Sequence, residues 1–120
     1  MGHVRVEETV IFDFDGVIHS YKSGWKGATV IPDAPVKGIK EALWGIRKHY
    51  RVVVVSSRCY HPGGIEAIRA WLDQHGITVD DVTGEKPAAV VTVDDRAICF
   101  DGKPDTLLEK IRDFKPWNKR

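Results

Sequence analysis

The 120-residue chain predicts an α/β fold, a doubly wound, three-layer, Rossmann-like parallel sheet within a single domain. Three observations carry that expectation. Apolar runs alternate along the chain with segments whose apolar residues recur at three- and four-residue steps. The run Val52-Val53-Val54-Val55 has no polar alternation, which suits a strand buried on both faces. The apolar runs also stop abruptly at polar groups, and open α/β sheets gather their ligands at the carboxyl ends of their strands. A chain of this length fills one such domain and leaves no room for a second.

Composition narrows the function. Hydrophobic residues at 42% and charged residues at 29% are ordinary for a globular protein. Lys+Arg 18 against Asp+Glu 17 leaves +1, so no global field recruits a membrane surface or nucleic acid. No apolar stretch approaches a membrane span and no signal segment opens the chain, which predicts a cytoplasmic setting without a membrane partner. Cys59 and Cys99 lack metal-ligand spacing.

The first predicted strand covers residues 9–12. It lies in Val10-Ile11-Phe12-Asp13-Phe14-Asp15-Gly16-Val17, where an apolar run ends in two carboxylates one residue apart. A doubly buried strand cannot hold two charges, so the strand stops at Asp13 and the backbone turns through Phe14 to Gly16. Asp13 and Asp15 then converge at the sheet edge. Carboxylates this close repel unless a cation or a shared proton compensates them, and hard oxygen ligands favour Mg²⁺.

Residues 17–34 form a flap loop. Its stretch from His19 to Asp33 has neither strand nor helix period, and loops this long are usually functional or disordered. Tyr21 and Trp25 argue for order. Asp33 caps a helix with Val36, Ile39, Leu43, Ile46 and Tyr50 on its apolar face. The second strand, 52–55, ends in Ser56-Ser57-Arg58. Pro62-Gly63-Gly64 opens a second helix with Ile65, Ile68 and Leu72 inward, closed by Gly76. Residues 77–79 read as a third strand, 89–93 as a fourth ending at Asp94-Asp95, and 97–100 as a fifth. A last helix buries Leu107, Leu108, Ile111 and Phe114, with Trp117 in a basic tail placed to dock back.

Three strand ends thus carry chemistry: Asp13 and Asp15, Ser56 with Arg58, and Asp94 with Asp95. Lys86 stands in the turn before the third. Packing needs no charge there, whereas phosphoryl transfer needs a carboxylate nucleophile, a proton donor, a cation and hydrogen-bond donors.

On these residues the chain resembles the haloacid dehalogenase superfamily of phosphohydrolases along most of its length. Asp13-Phe14-Asp15-Gly16 is similar to its first motif, Val54-Val55-Ser56 to its second, Lys86 to its third and Val93-Asp94-Asp95 to its fourth. The resemblance implies that Asp13 is the nucleophile, forming an aspartyl-phosphate, and Asp15 the general acid and base. It implies Mg²⁺ on the Asp13 carboxylate, the Asp15 backbone carbonyl and the Asp94/Asp95 pair, with Asp95 the direct ligand and Asp94 orienting a metal-bound water. Ser56 would hydrogen-bond a phosphoryl oxygen and Lys86 offset its charge. Relatives that are dehalogenases lack the second aspartate and ion-pumping relatives carry Thr there, so Asp15 points to a phosphatase. Many relatives place the lysine on a helix, but only Pro87, Ala88 and Ala89 separate Lys86 from the fourth strand.

Relatives acting on small metabolites often insert a cap domain after the first or second motif. Here only 17–34 and 59–85 occupy those places, which implies a capless member. An uncapped site suits a large substrate, or is closed by another subunit of a homo-oligomer. Ser56-Ser57-Arg58 and Val93-Asp94-Asp95-Arg96 are similar to motifs in the phosphatase half of polynucleotide kinase-phosphatases, which act on 3′-phosphates of nucleic-acid ends. That match implies that Arg58, with Ser57 beside it, clamps phosphate through its planar fork. Tyr21, Lys22, Trp25 and Lys26 offer stacking and charge to a base and a phosphate, or pack as a flap over the site. His19 is expected to be satisfied by solvent. The expected activity is a Mg²⁺-dependent phosphomonoesterase acting on a nucleotide or a nucleic-acid end. A sugar phosphatase closed by oligomerisation and a non-enzymatic phosphoacceptor are the alternatives.

Overall fold

The computed structural model describes residues 8–119. Its elements are β1 (Thr9–Asp13), α1 (Ile39–Ile46), β2 (Arg51–Val55), α2 (Gly64–Gln74), β3 (Asp81–Thr83), β4 (Val91–Val93) and α3 (Leu107–Arg112), with 3₁₀ turns at Ser57–Tyr60, Pro104–Thr106 and Trp117–Lys119. The four strands form one sheet in the order β3-β2-β1-β4, and every pairing is parallel. The expected α/β architecture with a parallel sheet is therefore present. Among the described residues, no helix is long and apolar enough to cross a membrane.

β1 and β2 are the doubly buried strands that their apolar runs predict. Val10, Ile11, Phe12, Val52, Val53 and Val54 are all 5% exposed or less. Strand alternation puts Val10, Phe12, Val52, Val54 and Val82 on one face, where they pack with Leu43 of α1 and Ile68, Trp71 and Leu72 of α2. Ile11 and Val53 point to the opposite face.

Handedness explains this division. The steps β1-α1-β2 and β2-α2-β3 run in the same direction, so right-handed crossovers put both helices on the same side. The return from β3 to β4 passes beyond β1 and so crosses the other side. The chain available for it is too short for a helix, and 84–90 crosses as an irregular strap with Lys86 beside Ile11 and Thr92. The third layer expected from the sequence is, at this crossing, a strap.

Five local expectations change. Asp33 does not cap α1, which starts at Ile39 behind Gly38 in the left-handed region (φ 84°). Residues 77–79 are irregular. Ile77 is buried there, and the Asp80 carboxylate accepts the Val52 N–H (2.7 Å) and an Arg47 N–H (2.8 Å), which delays β3 until Asp81. β4 is shorter than expected, and among the described residues 97–100 pairs with no strand. The apolar face expected of the last helix is largely open: Leu108 and Ile111 are each 61% exposed. Trp117 does dock back, its indole Nε1–H donating to the Gly16 carbonyl at 2.8 Å.

Candidate active site

β1 pairs with β2 on one side and β4 on the other, so the direction of winding reverses between β1 and β4. The carboxyl ends of those two strands flank a crevice at this switch point, where open α/β sheets take their ligands. Asp13 closes β1, and Asp94 and Asp95 follow β4 directly. Each of the three offers a carboxylate oxygen, and those oxygens lie within 4.8 Å of one another. Gly16 makes the approach feasible: a Cβ there would stand 2.1 Å from Asp95 Oδ2.

Among the described residues, no side-chain cation forms an ion pair with this cluster. Burial, a hydrogen bond that the protonated Asp13 carboxyl donates to Asp95, and the Asp94 and Asp95 charges push the Asp13 carboxyl up to about 8 from its ordinary 3.8. Asp95 Oδ1 is buried without a hydrogen-bond partner. One Asp94 oxygen is engaged, accepting the Arg96 N–H at 2.9 Å. Such a donor set, all carboxylate oxygen, is chemically suited to a hard divalent cation. Lys86 joins Asp13, Asp94, Ile11, Val55 and Thr92 around a cleft of about 100 Å³.

Asp15 is built differently. Its side chain lies outside the acidic cluster and is held by three N–H groups. Arg58 donates from Nε to Oδ2 at 2.8 Å and from Nη2 to Oδ1 at 3.1 Å, and His19 Nδ1 lies 2.8 Å from Oδ1. Burial alone would push this carboxyl up, but the hydrogen bonds from His19 and Arg58, with the Arg58 charge, outweigh it and hold Asp15 below its ordinary value. Two carboxylates one residue apart therefore titrate in opposite directions because they face opposite partners.

The segment that follows β2 supplies that partner. Ser56 follows β2, is 5% exposed, and caps the 3₁₀ turn Ser57–Tyr60 by accepting the Arg58 N–H at 3.2 Å. Its hydroxyl proton remains available as a donor. Ser57 is exposed. The turn drives Arg58 inward until it is fully buried. Arg58 Nη1 is spent on the carbonyls of Gly27 (2.8 Å), Ala28 (3.0 Å) and Val30 (3.2 Å). In place of the expected phosphate clamp, the structure has a fully buried guanidinium that braces Asp15 against the flap.

The flap is ordered by these bonds and its residues diverge. Tyr21 adopts a positive φ of 60° and sets its ring 5.9 Å from that of His19. Trp25 is 49% exposed, stacked over the Arg58 guanidinium at 4.9 Å and 5.9 Å from the ring of His61. Lys22 and Lys26 are exposed. Two participants escaped the sequence reading. His19 is fully buried instead of solvated, and Asp33, expected as a helix cap, accepts the N–H (2.7 Å) and hydroxyl (2.6 Å) of Ser23. The trace of this in the sequence is Asp15 and His19 four residues apart inside an aperiodic segment, a spacing that carries no signal outside a helix.

No family model matches the chain, and no curated protein matches its sequence. Two solved structures are similar in fold. A chain of the Pnkp1/Rnl/Hen1 complex superposes with a TM-score of 0.54 at 16% identity, covering 98% of this chain and 38% of that one. A chain of the Pnkp1/Rnl/Hen1 RNA repair complex gives 0.52 at 16% identity, covering 91% and 32%. This chain thus spans roughly a third of the length of the structures it matches.

Proposed function

We propose that the chain is a Mg²⁺-dependent phosphomonoesterase that works through an aspartyl-phosphate on Asp13 and acts on the phosphorylated end of a nucleic acid or on a nucleotide. The observation that carries this reading is the meeting of Asp13 with Asp94 and Asp95 at the switch point, with Lys86 on the same cleft. The resemblance of the four motifs to haloacid dehalogenase phosphohydrolases supports it. So does the fold similarity to chains of an RNA repair complex. No inserted domain stands over the crevice: 17–38 is a loop, and the chain between β2 and β3 is one 3₁₀ turn and α2. That openness fits a long substrate.

Asp13, Asp94 and Asp95 are the residues that would hold the cation, Asp95 with a buried oxygen that nothing else engages. Bound there, the cation supplies positive charge to the phosphoryl oxygens and to Asp13. In the first step an Asp13 oxygen bonds to phosphorus as the bond to the ester oxygen breaks, and Asp15 gives that oxygen its proton. In the second, water attacks phosphorus, passes a proton to Asp15, and the bond to Asp13 breaks to release phosphate. The three N–H donors around Asp15 favour its ionised form, the one that the second step requires. Ser56 donates its hydroxyl proton to a phosphoryl oxygen and Lys86 offsets the repulsion between phosphate and Asp13.

The test is phosphate release with and without Mg²⁺ from 3′- and 5′-phosphorylated oligonucleotides, mononucleotides and sugar phosphates. Release from the nucleotide substrates is expected, abolished by EDTA and reduced at least about a thousandfold in Asp13→Asn. Substantial turnover by Asp13→Asn overturns the nucleophile. A preference for sugar phosphates overturns the substrate class, and a single stable phosphorylation without turnover makes the chain a phosphoacceptor.

A further inference from the structure

We propose that His19 is a positioning residue for Asp15, acting through its Nδ1–H, and that the backbone of Asp33 fixes the tautomer that allows it. The inference rests on the reading of Asp15 as the proton-transfer group and names a residue that none of the motifs contains.

The tautomer follows from the partners. The Asp33 backbone N–H donates to His19 Nε2 at 3.1 Å, so Nε2 is an acceptor and carries no proton. A neutral imidazole then has its proton on Nδ1, where Asp15 Oδ1 receives it at 2.8 Å. The ring cannot turn away from this arrangement. It is fully buried, stacked on Phe14 (centroids 5.6 Å apart) and met edge-on by Trp71 (5.6 Å) and Tyr21 (5.9 Å).

Two roles compete for such a residue, a staple for the flap through Nε2 or a support for Asp15 through Nδ1. Asp33 is tied down without His19. Its carboxylate takes two bonds from Ser23 (2.7 and 2.6 Å), and its carbonyl accepts the Trp71 indole N–H at 3.2 Å. Asp15 has one other partner, Arg58, which grips both its oxygens. A single bidentate partner leaves the carboxylate free to rock about the line joining its two oxygens, and a donor from a second element removes that freedom. The bond to Asp15 is also the shorter of the two that His19 makes. Asp15 gives its proton to the leaving oxygen and later takes one from water. The imidazole transfers none; it holds the carboxylate where both transfers are in reach.

Two substitutions separate the roles. His19→Asn sets an amide N–H near the Nδ1 position and gives up the acceptor. His19→Gln sets a carbonyl near the Nε2 position and gives up the donor to Asp15. In Mg²⁺-dependent turnover, His19→Gln is expected to lower kcat about 10- to 100-fold with KM nearly unchanged, and His19→Asn to retain most of kcat. In an Asp15→Asn background the His19→Gln change is expected to cost nothing further. The reverse order of the two variants, an effect confined to KM, or a full cost in the Asp15→Asn background each overturns the proposal. Should His19→Gln fail to fold, His19→Asn compared in the two backgrounds decides alone. A structural readout is independent of turnover: ¹⁵N-edited NMR should reveal a protected Nδ1 proton that shifts in Asp15→Asn. Its absence overturns the inference, whereas its presence in a protein inactive on every phosphate ester overturns only the phosphatase reading.

Discussion

Gly16 answers two demands with one absent side chain. Its φ of +88° is a conformation that L side chains resist, and the place its Cβ would occupy is filled by Asp95. The first demand was legible in Asp13-Phe14-Asp15-Gly16, because a turn after two carboxylates calls for glycine. The second was not, because Asp95 comes from the far end of the chain and only the β1–β4 pairing brings it there. Gly16→Ala is expected to cost about 1–2 kcal/mol of stability from backbone strain alone. Its larger effect falls on the acidic cluster, since Asp95 must move: Mg²⁺ affinity by calorimetry should fall at least about tenfold. Arg58 teaches the converse. Its place at the end of a buried apolar run marks it as a candidate, but whether a guanidinium grips substrate or a neighbouring carboxylate depends on burial, which spacing does not encode.

At the scale of elements, the junction between the 3₁₀ turn Ser57–Tyr60 and α2 decides where Arg58 goes. A Cβ on Gly64 would lie 1.8 Å from the Arg58 carbonyl oxygen, so helix and turn touch backbone to backbone. Gly64→Ala is expected to destabilise the fold by about 1–3 kcal/mol in urea denaturation, as overpacking against backbone does. It should also loosen the flap, whose carbonyls Arg58 holds, and so expose 27–30 to faster amide exchange. β1, β2 and α2 were legible because each carries several apolar residues at the right period. β3 was not, because its only buried residue is Val82 and the apolar Ile77 and Val79 just before it carry the stronger signal. The run 97–100 misled for the same reason: an apolar segment beside a sheet reads as a strand whether or not an edge is free to receive it. The carboxyl-edge placement of the site, by contrast, followed from where the apolar runs end.

For the whole molecule, the opposed carboxylates set the dependence of stability on pH. Asp13 has a folded value above its unfolded one, so the folded state holds its proton more tightly. That contribution is fully present below about pH 4 and lost as pH rises through about 8. Asp15 and Asp80 are held below their ordinary values. Asp80 is lowered chiefly by its hydrogen bond from Arg47; in Asp15, burial opposes the lowering and the bonds from His19 and Arg58 prevail. Their contribution is present above the ordinary carboxylate range and lost as pH falls through the folded values. Without a divalent cation, Tm should therefore peak in weakly acidic solution and decline toward about pH 8. On the proposed reading Mg²⁺ takes the place of the proton on the cluster, so the Tm gained by adding it should grow steadily between about pH 5 and pH 8 in scanning fluorimetry. A gain that is flat across that range would contradict the assignment of these carboxylates to a cation.

The strand order has a consequence for how the protein is made. A growing chain can zip β1 to β2 and then β2 to β3 while Val91–Val93 is still unsynthesised. β1, the central strand, meanwhile presents the open backbone edge that Val91–Val93 will eventually cover. That edge is flanked by Val10, Ile11 and Phe12, the kind of apolar template on which nascent chains stick to one another. The cluster of Asp13 with Asp94 and Asp95 comes into being only when β4 arrives, so the candidate site is assembled after the β1–β2–β3 half of the sheet. A ribosome that stalls before residue 91 releases a partly built sheet that is both inert and adhesive.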